Sequence, residues 1–328
     1  MTSQNLWLIT GGAGYIGAHI ADKFLENGLD VVIFDSLYSG LKSRVDFLSD
    51  KHGSKVRFVQ GDIRDLEKFR ECLLEFNPIG VIHTAALKSV EESIDKPSEY
   101  LQINFEATRE ILNLIKEQDI KKFIFSSTAA VYGSPLTNKA IKEDDPKNPI
   151  SPYGMSKLRA EIEVERYSNG LDRVGISLRF FNVVGTASPE LRDHSVDNLV
   201  PIVIERLERE LAPIIFGSDY PTSDGTCIRD YVDVRDIANA HFMVAQNKDV
   251  IPKALNIGTG KGVSVKEVIN LILNLVPDKA IEPIFSKRRP GDPGILYADV
   301  SLATKSMEFL TQYDLIDSLG TVVLKSKK

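Results

Sequence analysis

Short apolar runs alternate with longer segments of helical periodicity along the first half of the chain. A continuous apolar run that ends at a polar residue or at glycine is typical of a buried strand. The pattern predicts strands over residues 6–10, 31–34, 56–60, 80–83 and 122–126, and helices over residues 18–26, 65–75, 97–118 and 154–167. Strands that alternate with helices form a parallel sheet covered on both faces. The predicted fold class is therefore α/β, with a doubly wound parallel sheet.

The second half of the chain has a weaker pattern. Residues 186–196 show no period and are expected to form loops, whereas residues 198–210, 232–246 and 264–275 predict helices. Residues 213–216 and 254–258 predict short strands. Ser264 with Glu267 three residues later has the capping-box pattern that marks the start of a helix.

Composition narrows the class of protein. The chain has 328 residues and a net charge of −6, and this balance argues against a nucleic-acid-binding protein. No apolar run approaches the roughly 18 residues that a membrane span requires. Two distant cysteines, Cys72 and Cys227, suggest no disulfide framework, and the five histidines lack metal-ligand spacing. Because the N-terminus also lacks a signal-peptide pattern, we expect a reduced cytoplasmic protein without a metal site.

A glycine-rich turn follows the first predicted strand. Gly11, Gly14 and Gly17 have the spacing that permits a tight turn, close backbone approach and close packing of helix on strand. The helix that follows offers its free N–H groups to a pyrophosphate, and Asp35, at the end of the second strand, suits the ribose hydroxyls of NAD. The same carboxylate would repel the 2′-phosphate of NADP. A purely structural turn is the alternative, and the strand–turn–helix context favours dinucleotide binding.

Further candidates lie at the ends of the third and fourth strands. Asp62 would lie near the adenine, and a solvated loop aspartate is an alternative of nearly equal weight. Small residues after His83 would let a nicotinamide ribose come close, while His83 itself is interpreted as a packing histidine. Lys88 is a better candidate ligand, because its ammonium would meet a phosphate or ribose.

Tyr153 and Lys157 lie four residues apart at the start of a predicted helix, so their side chains share one face. Ionising a free tyrosine at pH 7 costs about 4 kcal/mol. A cation about 4 Å away stabilises the phenolate by about 4 kcal/mol at an effective dielectric of about 20, but by only about 1 kcal/mol in water. The pair therefore predicts a phenolate base, provided that the cleft excludes water. The hydroxyls of Ser126, Ser127 and Thr128 at the end of the fifth strand would converge on the same site, unless they only cap loop backbone.

Two basic segments of the second half indicate an anion site. Arg229 lies among small polar residues, where its guanidinium would bind a diphosphate, and a salt bridge to Asp230 or Asp233 is an equal alternative. Three cations at residues 287–289 precede a turn in an otherwise acidic chain, which favours an anion site over a nucleic-acid patch. Asp292 would pair with a ribose hydroxyl, and Cys227 is interpreted as a bystander.

These motifs together resemble the extended short-chain dehydrogenase/reductase family. The resemblance extends from about residue 6 to about residue 303 and is strongest toward the 4-epimerases of UDP-glucose and UDP-galactose. Beyond the glycine turn, Asp35 and the Tyr153–Lys157 pair, it rests on residues 83–90, 123–133, 178–185 and 216–231. The last of these segments, with its Asp-Tyr-x-Thr-x-Asp-Gly-Thr-x-x-Arg-Asp-Tyr pattern, is the most specific.

The resemblance implies a Rossmann-type fold with a smaller, interleaved C-terminal substrate domain. An NAD-binding domain would comprise residues 1–180 with 231–260, and a UDP-sugar domain residues 181–230 with 261–328. The implied reaction is reversible epimerisation at C4 of a UDP-hexose, through a transient 4-keto sugar and with tightly bound NAD. The implied assembly is a homodimer formed by helices 97–118 and 154–167, with Ile111, Leu112 and Ile115 expected to be exposed.

The resemblance also implies a role for each site residue. Tyr153 would be the base, Lys157 its electrostatic partner and a ribose ligand, and Thr128 the hydroxyl that hydrogen-bonds the sugar 4-OH. The implied cofactor ligands are Gly11, Gly14, Tyr15, Ile16, Gly17, Asp35, Asp62, Ile63, Ala85, Lys88, Asn104, Ser126, Tyr153 and Lys157. The implied substrate ligands are Lys88, Thr128, Asn182, Asn198, Leu199, Phe216, Arg229, Arg289 and Asp292.

Some positions depart from the family pattern. Thr128 replaces the usual serine, and Phe180 a common tyrosine. Ala129 and Ala130 stand where related dehydratases carry Asp-Glu, so the acid/base pair for elimination of water is missing. Leu296 occupies the position that gates pocket size, and leucine there leaves UDP-N-acetylglucosamine open as a substrate, alongside a UDP-pentose or a UDP-uronate. The segment after Met307 lacks the family's Leu-Gly-Trp-x-Pro-like pattern, and residues 325–328 are expected to be a solvated end.

A non-catalytic NAD-sensing protein is the remaining alternative, but it would have no need of the Tyr153–Lys157 pair.

Overall fold

The structure, a computed structural model, describes residues 5–135, 137–169, 172–247, 249–289 and 292–323. The expected solvated end at residues 325–328, and Pro290 and Gly291 of the basic turn, lie outside these ranges. The described strands are β1 Leu6–Thr10, β2 Asp30–Asp35, β3 Val56–Gln60, β4 Gly80–His83, β5 Lys122–Thr128, β6 Val174–Phe180, β7 Asn182–Val184, β8 Ile214–Phe216, β9 Ile228–Asp233, β10 Ala254–Ile257, β11 Gly262–Ser264, β12 Ile284–Ser286 and β13 Ile295–Leu296.

Helices connect most of these strands. They are α1 Tyr15–Glu26, α2 Lys42–His52, α3 Leu66–Phe76, α4 Val90–Asp95, α5 Pro97–Leu101, α6 Ala107–Glu117, α7 Pro152–Ser168, α8 Leu199–Glu208, α9 Val234–Gln246, α10 Val265–Leu275, α11 Ser301–Met307 and α12 Leu315–Val323. A π-helical turn, Gln102–Glu106, joins α5 to α6, so the predicted helix over residues 97–118 is one continuous helical segment with a local expansion. None of the helices in the described ranges is long and apolar enough to cross a bilayer.

The large sheet is parallel and has the order β10-β6-β5-β4-β1-β2-β3. The predicted α/β class with a doubly wound parallel sheet is therefore confirmed. From β1 the chain proceeds outward through β2 and β3, and then returns to place β4 on the other side of β1. Such a reversal leaves a crevice at the carboxyl ends of the central strands, which is where ligands bind in these sheets.

Both faces of the large sheet are buried. On β1, Trp7 and Ile9 belong to one apolar cluster, and Leu6 and Leu8 belong to the cluster on the opposite face. Alternation of this kind follows from the two-residue period of a strand, and a strand that is apolar at every position needs cover on both sides.

The expectation that Ile111, Leu112 and Ile115 are exposed is wrong. All three side chains of α6 are buried, and they belong to the cluster that also contains Phe123 of β5. The helix is amphipathic, and its apolar face is used to cover the sheet.

A smaller sheet lies beside the large one. Its central strand, β9, pairs with β7, β11 and β13. The predicted helix over residues 232–246 is therefore wrong at its start, because Val232 and Asp233 complete β9 and α9 begins at Val234. The Asp233 side chain accepts a hydrogen bond from Arg235 N and so caps α9.

A third apolar cluster supports the smaller sheet and includes Val203, Ile269 and Leu319 from α8, α10 and α12. Ala303 and Phe309 pack with the large sheet instead, although the expected division assigns them to the UDP-sugar domain. The atypical C-terminal segment is therefore part of both cores up to Val323. The division into two interleaved domains stays a prediction.

Candidate active site

A cleft of about 1560 Å³ opens at the carboxyl ends of the large sheet. It extends from the glycine turn, past Tyr153 and Lys157, to Arg229 and Arg289. The predicted residues that line it are Gly11, Gly14, Tyr15, Ile16, Gly17, Asp35, Asp62, Ile63, Ala85, Lys88, Ser126, Thr128, Tyr153, Lys157, Asn182, Asn198, Arg229, Arg289 and Asp292. Asn104, Leu199 and Phe216 lie outside this lining. In the described part of the chain, no three His, Cys, Asp or Glu side chains are grouped so as to hold a metal ion.

The glycine turn fits a dinucleotide. Gly11 has φ +69°, and a Cβ there would lie 2.6 Å from Ala85 N. A Cβ at Gly17 would lie 2.2 Å from Gly11 O, so only glycine lets α1 pack this closely on the turn. No side chain caps the N-terminus of α1, and its first turn has no acidic residue. The free N–H groups and the helix dipole therefore favour an anion in the cleft.

Asp35 closes the far wall of the turn. Its carboxylate accepts hydrogen bonds from Ala13 N at 3.0 Å and from Leu37 N at 2.8 Å. Burial raises the pKa of Asp35, and the two backbone N–H groups oppose that shift. A carboxylate has about four lone-pair sites, so it retains capacity for the hydroxyls of a ribose.

Asp62 and Lys88 line the same end of the cleft. The Asp62 carboxylate accepts two hydrogen bonds from the Arg64 guanidinium, one from Nε at 3.0 Å and one from a terminal nitrogen at 2.7 Å. Asp62 is thus a paired aspartate at the cleft rim. Lys88 is exposed and lines the cleft, so its ammonium is accessible to a ligand.

Helix α7 brings Tyr153 to the middle of the cleft. The Ser151 hydroxyl caps α7 by accepting a hydrogen bond from Gly154 N at 3.1 Å, and Pro152 occupies the first helical turn. The Tyr153 ring lies edge-on to Tyr100, with 6.3 Å between the ring centroids. Burial raises the pKa of Tyr153, and a hydrogen bond with the Thr128 hydroxyl opposes that rise.

Lys157 is almost fully buried. Its ammonium donates to Ser126 O at 2.9 Å and lies 4.6 Å from the centroid of the Phe125 ring. Burial lowers the pKa of Lys157 to about 7, and Glu161 opposes this shift. The expected lowering of the pKa of Tyr153 by Lys157 is therefore not found, because the phenol is desolvated and the ammonium is bonded to the strand end.

The three hydroxyls at the end of β5 have different partners. Ser126 shares a hydrogen bond of 3.1 Å with His241 Nε2, and Ser127 donates to Glu161. Thr128 accepts from Ala130 N at 3.2 Å and also bonds Tyr153, so it both caps the following turn and faces the phenol. The convergence of strand end and helix start that the sequence predicted is present.

His83 is confirmed as a packing histidine. Its ring nitrogens lie 2.7 Å from the Thr10 hydroxyl and 3.0 Å from the Thr108 hydroxyl. Burial, together with Lys157, lowers the pKa of His83 to about 3, so the ring is neutral at pH 7.

Arg229 and Asp292 form an ion pair at the other end of the cleft. The alternative partners named for Arg229 are wrong: Asp230 accepts from Thr259 and Gly260, and Asp233 binds Arg235. Arg229 remains in the cleft lining, so the ion pair and an anion site are compatible. The Cys227 thiol contacts Asp292 at 3.6 Å, and burial raises its pKa, which agrees with a bystander.

The residues outside the lining act from behind it. Asn104 lies in the π-helical turn, where its amide bonds Leu87 N at 2.8 Å and Leu87 O at 2.9 Å. It therefore fixes the loop that carries Lys88 rather than facing the cleft. Phe216 stacks under the Arg289 guanidinium at 4.2 Å, and Leu199 packs against the third apolar cluster.

Two buried groups near the cleft were not singled out from the sequence. Arg44 of α2 lines the cleft and donates to Ala13 O and Arg192 O, while its Nε has no hydrogen-bond partner in the described structure. Glu161 pairs with Arg179 directly behind Lys157. The spacing of Glu161, four residues after Lys157 on one helix face, could have shown that Glu161 lies beside Lys157, but no local pattern points to Arg179 as its partner.

Comparisons with known proteins agree with this geometry. A model of the NAD dependent epimerase/dehydratase family matches residues 7–258. The UDP-glucose 4-epimerase of Halalkalibacterium halodurans is 39% identical over 319 residues, which cover 95% of this chain and 92% of that protein.

Solved structures give the same result. The UDP-glucose 4-epimerase of Bifidobacterium longum, in complex with NAD+ and UDP, has a TM-score of 0.90 at 34% identity, covering 97% of each chain. The UDP-glucose 4-epimerase of Stenotrophomonas maltophila, with bound NAD and formylated UDP-arabinopyranose, has a TM-score of 0.91 at 33% identity, covering 99% of this chain and 98% of that one. Because the family model matches most of the chain and the relatives align over nearly all of it, the chain belongs to the NAD dependent epimerase/dehydratase family.

Proposed function

We propose that the protein catalyses the reversible epimerisation at C4 of a UDP-hexose, interconverting UDP-glucose and UDP-galactose, with NAD held tightly throughout. One observation carries this proposal. A single cleft joins the open helix N-terminus at the glycine turn, the Tyr153–Thr128 hydrogen bond and the Arg229–Arg289 end. A dinucleotide and a nucleotide sugar can therefore meet at one phenol.

The residues at the two ends of the cleft would hold the ligands. NAD would occupy the glycine turn, with Asp35 on a ribose and Lys157 on the nicotinamide ribose. Arg229, Arg289 and Asn182 would hold the UDP, since guanidinium groups bind phosphate oxygens in a bidentate manner. NAD, when bound, supplies the acceptor for a hydride from C4 of the sugar and a positive charge that favours the phenolate of Tyr153.

Tyr153 would then act as the general base. The phenolate takes the 4-OH proton, directly or through the Thr128 hydroxyl to which it is already bonded. Lys157 would stabilise that phenolate through its charge alone when the ammonium is protonated, since its hydrogen bond goes to Ser126 O. The same phenol returns the proton to the C4 oxygen of the product, so no second acid is needed, and the alanines at 129 and 130 supply none.

Two further proposals concern the assembly and its location. We propose a homodimer formed by α6 and α7, supported by the exposed apolar side chains of Met155 (40% exposed) and Ile162 (44% exposed) on α7. Light scattering tests this assembly, and a monomeric mass would contradict it.

We place the reaction in the cytoplasm, in keeping with the free thiols of Cys72 and Cys227.

The test is turnover of defined substrates by purified protein. We expect interconversion of UDP-galactose and UDP-glucose without added NAD, and release of NAD when the protein is denatured. Faster turnover of UDP-N-acetylgalactosamine, a UDP-pentose or a UDP-uronate would overturn the choice of hexose. Bound NAD without turnover of any of these would support the non-catalytic alternative.

A further inference from the structure

A buried ion pair lies one helical turn beyond Lys157. Glu161 is 6% exposed and Arg179 is 3% exposed. Arg179 Nε donates to one carboxylate oxygen at 2.9 Å, and its terminal nitrogen donates to the other at 2.7 Å. The desolvation of two buried charges offsets most of their attraction, so such a pair is weak evidence for a role in stability. Its position suggests another role.

The pair joins the two elements that carry the reacting side chains. Glu161 follows Lys157 by four residues on α7, the helix that also carries Tyr153. Its carboxylate accepts a hydrogen bond from Ser127, the neighbour of Thr128 at the end of β5. Arg179 lies on β6 in register with Ser127, so the ion pair spans the strand pair and the helix above it.

The network continues into the turn that follows Thr128. Arg179 donates to the Tyr132 hydroxyl at 2.8 Å and to Glu143 O at 3.1 Å, and Tyr132 donates to Asn256 at 2.7 Å. The 3₁₀ turn Ala129–Val131 is thereby held between Thr128 and a fixed tyrosine. Thr128 has little freedom to move away from α7.

Glu161 is also the carboxylate whose charge acts on the ammonium of Lys157. It opposes the effect of burial on the pKa of that ammonium. Among the other groups around Lys157, His83 is buried and neutral at pH 7, and the ammonium lies over the Phe125 ring. Tyr153 adds a negative charge only as the phenolate formed during the reaction.

We propose that Glu161 and Arg179 are positioning residues of this site: they fix α7 against the end of β5 so that Tyr153 meets Thr128, and Glu161 places a negative charge one helical turn from the ammonium of Lys157. The inference rests on the proposed epimerase function. Neither residue lines the cleft, so neither touches a ligand.

The test uses two variants and one matched control in the protein that carries its NAD. Ser127→Ala removes the link from β5 to Glu161 but leaves the ion pair intact, so it creates no unpaired buried charge. Glu161→Gln removes the anion. Glu165→Gln makes the same chemical change one turn further along α7, at an exposed position.

We expect S127A to lower kcat about tenfold and E161Q to lower it about a hundredfold, because a misplacement of about 1 Å can cost about a hundredfold in rate. NAD content and UDP affinity of E161Q should match those of the wild type, whereas Ser127 lines the cleft, so the NAD content and UDP affinity of S127A are measured beside its kcat. The basic limb of the kcat–pH profile should move to lower pH by about one unit in E161Q, because Lys157 loses its proton more readily without the anion. E165Q should behave as the wild type.

A second readout needs no turnover. The titration of Lys157 is followed by NMR of ¹³C-labelled lysine and assigned by its loss in Lys157→Met. We expect the Lys157 resonance to titrate at lower pH in E161Q than in E165Q. If S127A and E161Q match E165Q in kcat, in pH profile and in this titration, the inference is overturned. Wild-type protein without turnover would instead overturn the proposed function, and the titration would still decide the electrostatic role of Glu161.

Discussion

Burial opposes the charged forms of both Tyr153 and Lys157. It raises the pKa of the phenol and lowers that of the ammonium to about 7. The sequence argument included the attraction between the two groups but not the desolvation of each, which depends on how deeply the fold places them. A spacing of four residues predicts that two side chains share a face, and it does not determine where an ammonium will find its hydrogen bond.

Two neighbouring arginines, Arg288 and Arg289, have different surroundings, and we expect only one of them to bind UDP. Arg289 lines the cleft and stacks on Phe216, whereas Arg288 pairs with Asp219 and stacks on Tyr220 outside the lining. We expect Arg289→Met to weaken UDP binding by about tenfold or more, since it removes a charge-assisted contact to phosphate. Arg288→Met should leave the affinity within about twofold. Isothermal titration with UDP measures both, and equal losses would show that the cluster acts only as a diffuse positive charge.

The N-cap serines of α7 and α10 can be compared, because only α7 carries a residue of the candidate site. Ser151 caps α7, which carries Tyr153, and Ser264 caps α10, which lies in the smaller core. Replacing either serine by alanine should cost about 1 kcal/mol of unfolding free energy. Only Ser151→Ala should also lower kcat, because it loosens the turn from which Tyr153 projects. Urea denaturation and steady-state kinetics test this, and an equal loss of kcat in Ser264→Ala would count against a local effect.

The elements of the large sheet could be predicted, and those of the smaller sheet could not. Strands β1, β3 and β4 have the predicted bounds, because a continuous apolar run between polar residues leaves few alternatives. Strand β9 reads as Ile-Arg-Asp-Tyr-Val-Asp, and two of its buried charged residues, Arg229 and Asp230, depend on the distant partners Asp292 and Thr259. Its partners β7, β11 and β13 are short and far apart in sequence, so periodicity carries no signal for them.

The candidate site shows the same division. Residues whose role follows from a local motif, such as Gly11, Asp35 and Tyr153, line the cleft as expected. Asn104 does not, because the π-helical turn directs its amide to Leu87. The partner of Arg229 was missed because Asp292 lies 63 residues away in sequence.

Three buried histidines determine how the whole molecule responds to acid. Burial lowers the pKa of His19 and His241 to about 4 and that of His83 to about 3, against 6.5 for the free side chain. Below pH 6.5 these histidines therefore bind more protons in the unfolded chain than in the folded protein. As a result, the free energy of unfolding falls as the pH drops from 6.5 toward 4. Asp236 opposes this, since burial raises its pKa to about 6.

Near pH 5 these four groups together bind about two more protons in the unfolded chain than in the folded protein, and they contribute a slope of roughly 3 kcal/mol per pH unit. Urea denaturation at closely spaced pH values measures this slope. We expect the free energy of unfolding to rise by about 1 kcal/mol between pH 7 and 8, because the pKa of folded Lys157 is about 7 and the folded protein loses a proton that the unfolded chain keeps. Below pH 6.5 we expect a steep loss of stability. A stability that is constant from pH 7 to pH 5 would show that these histidines are protonated in the folded protein.

The account as a whole depends on the phenol of Tyr153 as the base that faces the sugar C4. The most direct test is the turnover number of Tyr153→Phe with UDP-galactose, measured together with its NAD content and its UDP affinity. Removal of a general base typically costs about two to four powers of ten in rate. We predict a loss of kcat of about a thousandfold, with bound NAD and UDP affinity unchanged; a kcat close to that of the wild type would contradict the account.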